Sequence, residues 1–191
     1  MMVSVKEKIA YGLGDTASNI VFQTVMLFLT FFYTDIFGIS PAFVGTMFLA
    51  VRVIDAITDP LMGAIADRTT SKHGKFRPYL LWFALPFGLI SVLAFTTPDF
   101  GEEGKMIYAF VTYTLLMLVY TAINIPYSAL GGVLTADPDE RVSVQSYRFV
   151  FGMLGGLLVT GALLVNEWLG WRERAGHFHI ETLDAESGDA R

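Results

Sequence analysis

Two carboxylates and one guanidinium interrupt an otherwise apolar stretch of this sequence, at Asp55, Asp59 and Arg52. Their spacings of three, four and seven residues place the three side chains on one face of a helix. Two carboxylates with a nearby hydroxyl, here Thr58, are hard oxygen ligands that suit a hard cation. The alternatives are a proton shared between the carboxylates or a structural ion-pair network that binds nothing. The excess of one carboxylate over the arginine favours a bound cation or proton.

A second apolar stretch carries Tyr120, Thr121 and Asn124, followed by Pro126 and Tyr127. Spacings of three and four residues from Asn124 stack these side chains on one helical face, and Pro126 frees a backbone carbonyl one turn earlier. Such interruptions are typical of transporter binding sites, although Asn, Thr and Tyr also form ordinary hydrogen bonds between membrane helices.

Hydrogen-bonding groups that could bind sugar hydroxyls lie near the start of the chain, at Asp15, Ser18 and Asn19 beside Tyr11. Asp15 could equally be a carboxylate at a helix start close to the membrane surface. Arg148 opens a later apolar stretch, where it is either a functional charge or an anchor of the topology.

The polar segment 67–79 contains one carboxylate and several cations between two apolar stretches. Such charges can bind helix ends and separate during a conformational change, but a simple solvated basic loop has the same composition. His73 is interpreted as a surface residue rather than a ligand. The candidate gating or ion-pair residues are Arg52, Asp67, Arg68, Lys75 and Arg77.

The composition indicates which elements hold these residues. Of 191 residues, 53% are hydrophobic and only 16% are charged, which is typical of a membrane protein. The absence of cysteine excludes disulfides, zinc–thiolate sites, iron–sulfur clusters and thiol nucleophiles. An enzyme is not predicted, because the three histidines lie outside the apolar stretches. A net charge of −5 argues against nucleic acid as a partner.

Five stretches are long enough to cross a bilayer, which requires about 20 apolar residues. The predicted fold is therefore an all-α, polytopic membrane helix bundle over residues 1–169. The last 25 residues include nine charges and lose the apolar periodicity, so 170–191 is predicted to be a polar irregular tail. The spans are roughly 15–37, 41–66, 78–98, a segment within 106–136, and 149–169.

Positive charges predict the orientation of these spans. If the spans alternate, eight Lys and Arg residues fall on one side and only Lys105 lies in the short opposite loops. The N-terminus and the loops 67–77 and 135–148 are then cytoplasmic, in a multi-pass protein of the inner (plasma) membrane. The eight cations are Lys6, Lys8, Arg68, Lys72, Lys75, Arg77, Arg141 and Arg148.

Several ordered motifs resemble those of the glycoside, pentoside and hexuronide:cation symporters, the major facilitator group that includes melibiose permease. The resemblance covers about residues 6–166. The motifs that carry it are 11–14 (YGLG), 33–35 (YTD), 55–63 (DAITDPLMG), 67–68 (DR), 74–79 (GKFRPY), 120–121 (YT), 124–127 (NIPY) and Arg148.

The resemblance implies two six-helix bundles that alternate access to a central cavity holding a sugar and a cation. Residues 1–169 would then be a partial N-terminal transmembrane bundle, with about five helices of the N-terminal six-helix bundle. It implies cation ligands at Asp55, Asp59 and Thr121, with Thr58 where melibiose permease has Asn. It also implies that Tyr120 and Arg148 line the sugar site. Asn19 and Asn124 stand where melibiose permease has carboxylates that bind its galactoside, which argues against melibiose as the substrate. The full candidate sugar-binding set is Asp15, Asn19, Tyr120, Asn124 and Arg148.

The predicted function is the N-terminal portion of a secondary active transporter that couples sugar uptake to sodium, lithium or proton symport. The expected partners are a small sugar, a monovalent cation, the lipid bilayer and a C-terminal helical bundle. Apart from a sodium at Asp55 and Asp59, no metal or cofactor is expected. The alternative is a truncated, non-transporting membrane fragment that at most associates with other helices.

Overall fold

The computed structural model describes residues 3–72 and 74–188, with side chains described as far as Trp168. Within those residues all regular secondary structure is helical. Five helices are long and apolar enough to cross a membrane, as predicted. They are α1 (Val5–Phe31, continued by a π-helical segment Phe32–Ile36), α2 (Pro41–Arg68), α3 (Arg77–Ala94), α4 (Glu102–Val133) and α5 (Pro138–Gly188).

Local sequence explains where the first two helices begin. Ser4 caps α1 in a reciprocal arrangement in which its hydroxyl accepts from the backbone N–H of Glu7 and the Glu7 carboxylate accepts from the backbone N–H of Ser4. Ser40 caps α2, and Pro41 follows at its first position, where a missing N–H costs nothing. Between them Gly38 adopts a positive φ of 76°, which turns the chain sharply after α1.

The predicted starts of two helices are wrong, because an uncharged stretch marks only the apolar part of a helix. The structure begins α1 at Val5 rather than near residue 15 and begins α5 at Pro138 rather than near 149. Arg148 therefore lies about three turns inside α5 and does not open it.

The predicted irregular tail is also wrong over residues 170–188, where α5 continues as a helix to Gly188. Arg, Glu, Ala and Leu are good helix formers, so losing the apolar pattern does not by itself end a helix. Residues 189–191 lie outside the described part of the chain, and so does His73, whose interpretation as a surface residue stays a prediction.

Helix packing produces one main core and one smaller cluster. The main core joins α1, α2 and α4 through fully buried residues such as Leu29, Val51 and Leu116. The smaller cluster brings together Tyr11, Tyr127 and Val144 from α1, α4 and α5. Close contact of α1 with α5 depends on glycine, because a Cβ at Gly155 would lie 2.7 Å from the Thr16 carbonyl oxygen.

Candidate functional site

The carboxylates of α2 meet α4 through one direct hydrogen bond. The Thr121 hydroxyl of α4 donates to Oδ1 of Asp59 at 2.9 Å. Thr121 is buried and Asp59 is half-buried, so the bond lies within the bundle. The predicted proximity of these two residues, 62 positions apart in the chain, is thus present in the structure.

Asp55 lies one turn before Asp59 and is more deeply buried. Its Oδ2 is 3.3 Å from the Arg52 guanidinium, whose side chain is 50% exposed. The other oxygen, Oδ1, is buried and has no hydrogen-bond partner among the described residues. An unpartnered carboxylate oxygen away from water is costly unless a cation or a proton occupies it.

Thr58 is placed differently from its predicted partners. Its hydroxyl lies 3.5 Å from the backbone carbonyl oxygen of Asp55, within the same helix. The side chain is on the predicted face of α2, but the hydroxyl is directed to the backbone rather than to either carboxylate. Among the described residues, no group of three or more His, Cys, Asp or Glu side chains has the arrangement of a metal site.

A second polar centre is built around Arg148 of α5. Its Nε donates to Oδ1 of Asp15 at 3.0 Å, and its Nη2 donates to the Ser128 hydroxyl at 3.0 Å. The guanidinium also lies over the Tyr127 ring, 5.1 Å from the ring centroid. One side chain therefore connects α5 with both α1 and α4.

Neighbouring groups fix Asp15 and the two tyrosines. The Asn19 amide donates to the backbone carbonyl of Asp15 at 2.9 Å and to its Oδ2 at 3.1 Å. Tyr11 and Tyr127 stack with ring centroids 4.7 Å apart, and each hydroxyl donates to the other residue's backbone carbonyl. This packing holds α1 rigidly against α4 beside the arginine.

A cleft of about 560 Å³ opens between α1 and α5 next to this centre. Asp15, Asn19 and Gln23 line it from α1 at successive intervals of four residues. Gly152 and Gly156 line it from α5, and a Cβ at Gly152 would collide with Oδ2 of Asp15. Gln23 was not predicted as a site residue, although its spacing of four residues from Asn19 places both side chains on one face of α1.

The two remaining sugar-site candidates lie on α4. Tyr120 stacks on Phe22 at 5.3 Å and contacts Phe87 at 6.2 Å between ring centroids. Asn124 is half-buried, and its side chain makes no hydrogen bond with any residue in the described ranges. Tyr120 is thus held by aromatic packing, whereas the Asn124 amide is free to take a ligand.

Only part of the predicted charge network at the α2–α3 loop forms. Lys75 lies 3.4 Å from Asp67, and both side chains are largely exposed. Arg68 and Arg77 are exposed and have no ion-pair partner in the described part of the chain. A more deeply buried ion pair joins Lys8 to Glu140 at 2.9 Å. This pair was not predicted, because no local pattern connects residues 132 positions apart.

Comparison with known proteins gives one family match and several close relatives. Residues 10–167 match the family described as MFS/sugar transport protein. The chain is 63% identical to the inner membrane symporter YicJ of Escherichia coli over 83% of its own length. It is 56% identical over 85% of its length to YagG of Escherichia coli, which is described as a putative glycoside/cation symporter. It is 44% identical to the isoprimeverose transporter of Lactiplantibacillus pentosus over 83%. The chain spans about a third of the length of these relatives, with 35%, 35% and 33% covered respectively.

Proposed function

The chain belongs to the MFS/sugar transport protein family, whose members are transporters and not enzymes, and from that premise we propose that it forms the N-terminal part of a sugar:cation symporter. The observation that carries this proposal is the α2–α4 carboxylate centre. There Thr121 fixes one oxygen of Asp59 while a buried oxygen of Asp55 has no protein partner. Ionisable residues inside a membrane span are by default functional sites, and a bound cation or proton would compensate this one.

Asp55, Asp59 and Thr121 are the proposed cation ligands. A monovalent cation, either sodium or lithium, fits two carboxylates and a hydroxyl, and a proton on Asp55 would satisfy the same oxygen. Arg52 neutralises one carboxylate, so binding of one positive charge leaves the whole group close to neutral. Thr58 can join the ligand set only if its hydroxyl turns away from the backbone of its own helix.

The proposed sugar site is the cleft beside Arg148. Asp15 and Asn19 offer oxygens and amide protons at its wall, and Arg148 is already oriented by Asp15 and Ser128. Such a fixed set of donors and acceptors binds hydroxyl groups without first having to be ordered. Tyr120 and Asn124 extend the proposed site along α4.

Helix α4 is the element that can couple the two sites. Thr121 contacts the carboxylate centre and Ser128 contacts Arg148, so seven residues, about two helical turns, separate the contacts. A small shift of α4 on cation binding changes the position of Ser128 and Tyr127 at the sugar site. Binding of each ligand then raises the affinity for the other by the same factor.

For the complete transporter we propose alternating access, with a cytoplasmic N-terminus and the α2–α3 loop on the cytoplasmic side of the inner membrane. The excess of Lys and Arg in that loop supports this orientation. The weakly held Lys75–Asp67 pair, with its exposed partners, is of the kind that opens and closes during such a change. Arg68 and Arg77 would find their partners in another conformation.

The test uses a fusion of residues 1–167 to the remainder of YicJ, produced in cells that lack sugar uptake of their own. Uptake of labelled isoprimeverose, melibiose and a glucuronide is measured with sodium, lithium or a pH gradient. We expect cation-stimulated uptake of at least one sugar and its loss in Asp59→Asn, whereas the exposed-loop control Asp99→Asn retains it. Unchanged stimulation in both Asp55→Asn and Asp59→Asn would contradict the proposed coupling role.

For the 191-residue polypeptide by itself we propose a second function, that of a non-transporting membrane fragment. Within the described part of the chain, the cleft has protein walls from α1 and α5 only, and Arg52 at the other centre is half-exposed. A cavity that lacks further walls cannot alternate between two sealed states. Vesicles containing only this chain should show no sugar-stimulated cation flux, and robust flux would overturn this second proposal.

A further inference from the structure

A cleft of about 670 Å³ lies where the α2–α3 loop meets the start of α3 and the end of α4. It shares no lining residue with the α1–α5 cleft and lies apart from the carboxylate centre. Basic side chains form one wall and aliphatic side chains of α3 and α4 form the other. The cleft therefore has two chemically distinct halves.

The basic wall consists of Lys72, Lys75 and Arg77, and no carboxylate is among the described residues that line the cleft. Lys72 and Arg77 are exposed and form no ion pair with a described residue, although the Glu7 carboxylate is close enough to Arg77 to interact with it electrostatically. Lys75 has its 3.4 Å contact with the exposed Asp67. The start of α3 adds further positive potential, because no side chain caps it at Phe76. Three cations that face only the carboxylates of Asp67 and Glu7 among the described residues leave an excess of positive charge, which favours an anionic ligand.

The aliphatic wall consists mainly of Leu81, Leu130 and Val133. Leu81 follows Arg77 by one helical turn, so it lies about 6 Å farther into the membrane along α3. It is 67% exposed and Val133 is 63% exposed, although both belong to membrane-spanning helices. The cleft thus joins a basic wall at the loop to an aliphatic wall on two helices that are apolar enough to span a membrane.

We propose that this cleft binds an anionic glycerophospholipid from the leaflet on the side of the α2–α3 loop. The phosphate would contact Lys72, Lys75 and Arg77, and an acyl chain would lie against the aliphatic wall. A free phosphate ion could use only the basic half, whereas the aliphatic half matches the chain of a lipid. The phosphate also competes with Asp67 for Lys75, so lipid binding loosens the ion pair of this loop.

The test uses the purified 191-residue chain in nanodiscs and in detergent. Native mass spectrometry counts the phosphatidylglycerol and phosphatidylcholine molecules that remain bound after release from a one-to-one mixture. Each basic group near an anionic surface contributes about a fivefold preference for an anionic over a zwitterionic lipid. We therefore expect the chain to retain the anionic lipid at least fivefold over the zwitterionic one, and Lys72→Gln with Arg77→Gln to remove most of that preference.

Two further variants separate a built site from general surface charge. Lys6→Gln with Arg68→Gln removes the same charge from exposed positions that do not line the cleft, and it should keep the preference. Val133→Trp fills the aliphatic half without changing charge and should reduce retention by at least threefold. Circular dichroism checks that all variants keep their helical content.

Three results would overturn the proposal. The first is equal retention of the two lipids by the unmodified chain. The second is an equal loss of preference in the Lys6/Arg68 control, which would indicate diffuse electrostatic attraction. The third is a combination of two observations: millimolar inorganic phosphate or glycerol 3-phosphate displaces the lipid completely, and Val133→Trp leaves lipid retention unchanged. Together they would indicate a site for free phosphate.

Discussion

The two polar centres of this bundle each pair a buried aspartate with an arginine, yet they differ in how completely the charges are satisfied. Arg148 is 20% exposed, contacts Asp15 at 3.0 Å and has Ser128 and the Tyr127 ring as further partners. Arg52 is 50% exposed and contacts Asp55 at 3.3 Å, and the second Asp55 oxygen is unpartnered within the described residues. The α1–α5 centre is thus preformed, whereas the α2–α4 centre still requires a positive charge.

The two centres therefore contribute differently to stability and to ligand binding. A fully partnered centre stabilises the packing of three helices and presents a fixed surface to a ligand. An incompletely partnered centre contributes less to stability and changes its energy most when a cation arrives. Substitutions should therefore affect folding at the first centre and ligand binding at the second.

The largest stability effect is expected for Arg148→Met. Removing one partner of a buried ion pair leaves the Asp15 carboxylate uncompensated, at a cost of about 3–5 kcal/mol in the free energy of unfolding. Thermal unfolding of the chain in detergent, followed by circular dichroism, measures the loss. Arg52→Met is the matched comparison and should cost less than Arg148→Met, because Arg52 is half-exposed and makes a single 3.3 Å contact with Asp55. Equal losses in the two variants would remove the distinction between the centres.

A somewhat smaller effect is expected at the glycines that let α1 approach α5. Gly155→Ala places a Cβ 2.7 Å from the backbone oxygen of Thr16, which cannot move as a side chain can. Overpacking of this kind costs about 1–3 kcal/mol. Gly161→Ala on the same helix places its Cβ more than 4 Å from any atom of the described residues beyond its own stretch of helix and should be neutral or slightly stabilising. Similar unfolding temperatures for the two variants would contradict the described α1–α5 packing.

The cation centre can be divided further by substituting its two threonines. Thr121→Val removes the hydrogen bond to Asp59 and should lower the apparent cation affinity of the YicJ fusion about tenfold, the effect expected for a bond to a charged group. Thr58→Val should change it less than threefold if the hydroxyl keeps its backbone bond. A larger effect of Thr58→Val would show that this hydroxyl turns toward the cation, as the resemblance implies.

The smallest effect is expected at the α2–α3 loop. Lys75→Gln removes an ion pair between two largely exposed side chains, which contributes no more than about 1 kcal/mol to stability. Lys8→Gln removes the buried contact with Glu140 and should cost more. The free energy of unfolding of each variant and of the unmodified chain is measured at low and high salt. Salt should reduce the loss caused by Lys75→Gln more than the loss caused by Lys8→Gln, because buried pairs are screened much less than exposed ones.

Particular residues show how far the sequence could predict this molecule. The five membrane helices and the common face of Asp55 and Asp59 follow from apolar length and helical period. The ends of α1 and α5 do not, because a helix continues through polar residues beyond the hydrocarbon layer. Pairing of Asp15 with Arg148 and of Lys8 with Glu140 joins residues more than 130 positions apart. Such pairs depend on how α1 packs against α5, and no local pattern contains that information.

Titration calorimetry of sodium, lithium and protons into the YicJ fusion tests directly whether Asp55 and Asp59 bind a cation or a proton. We expect saturable uptake of one of these ions per molecule, lost in Asp59→Asn and in Asp55→Asn and kept in Asp99→Asn. The same uptake in all three variants, or none of the three ions bound by the unmodified fusion, would contradict this expectation.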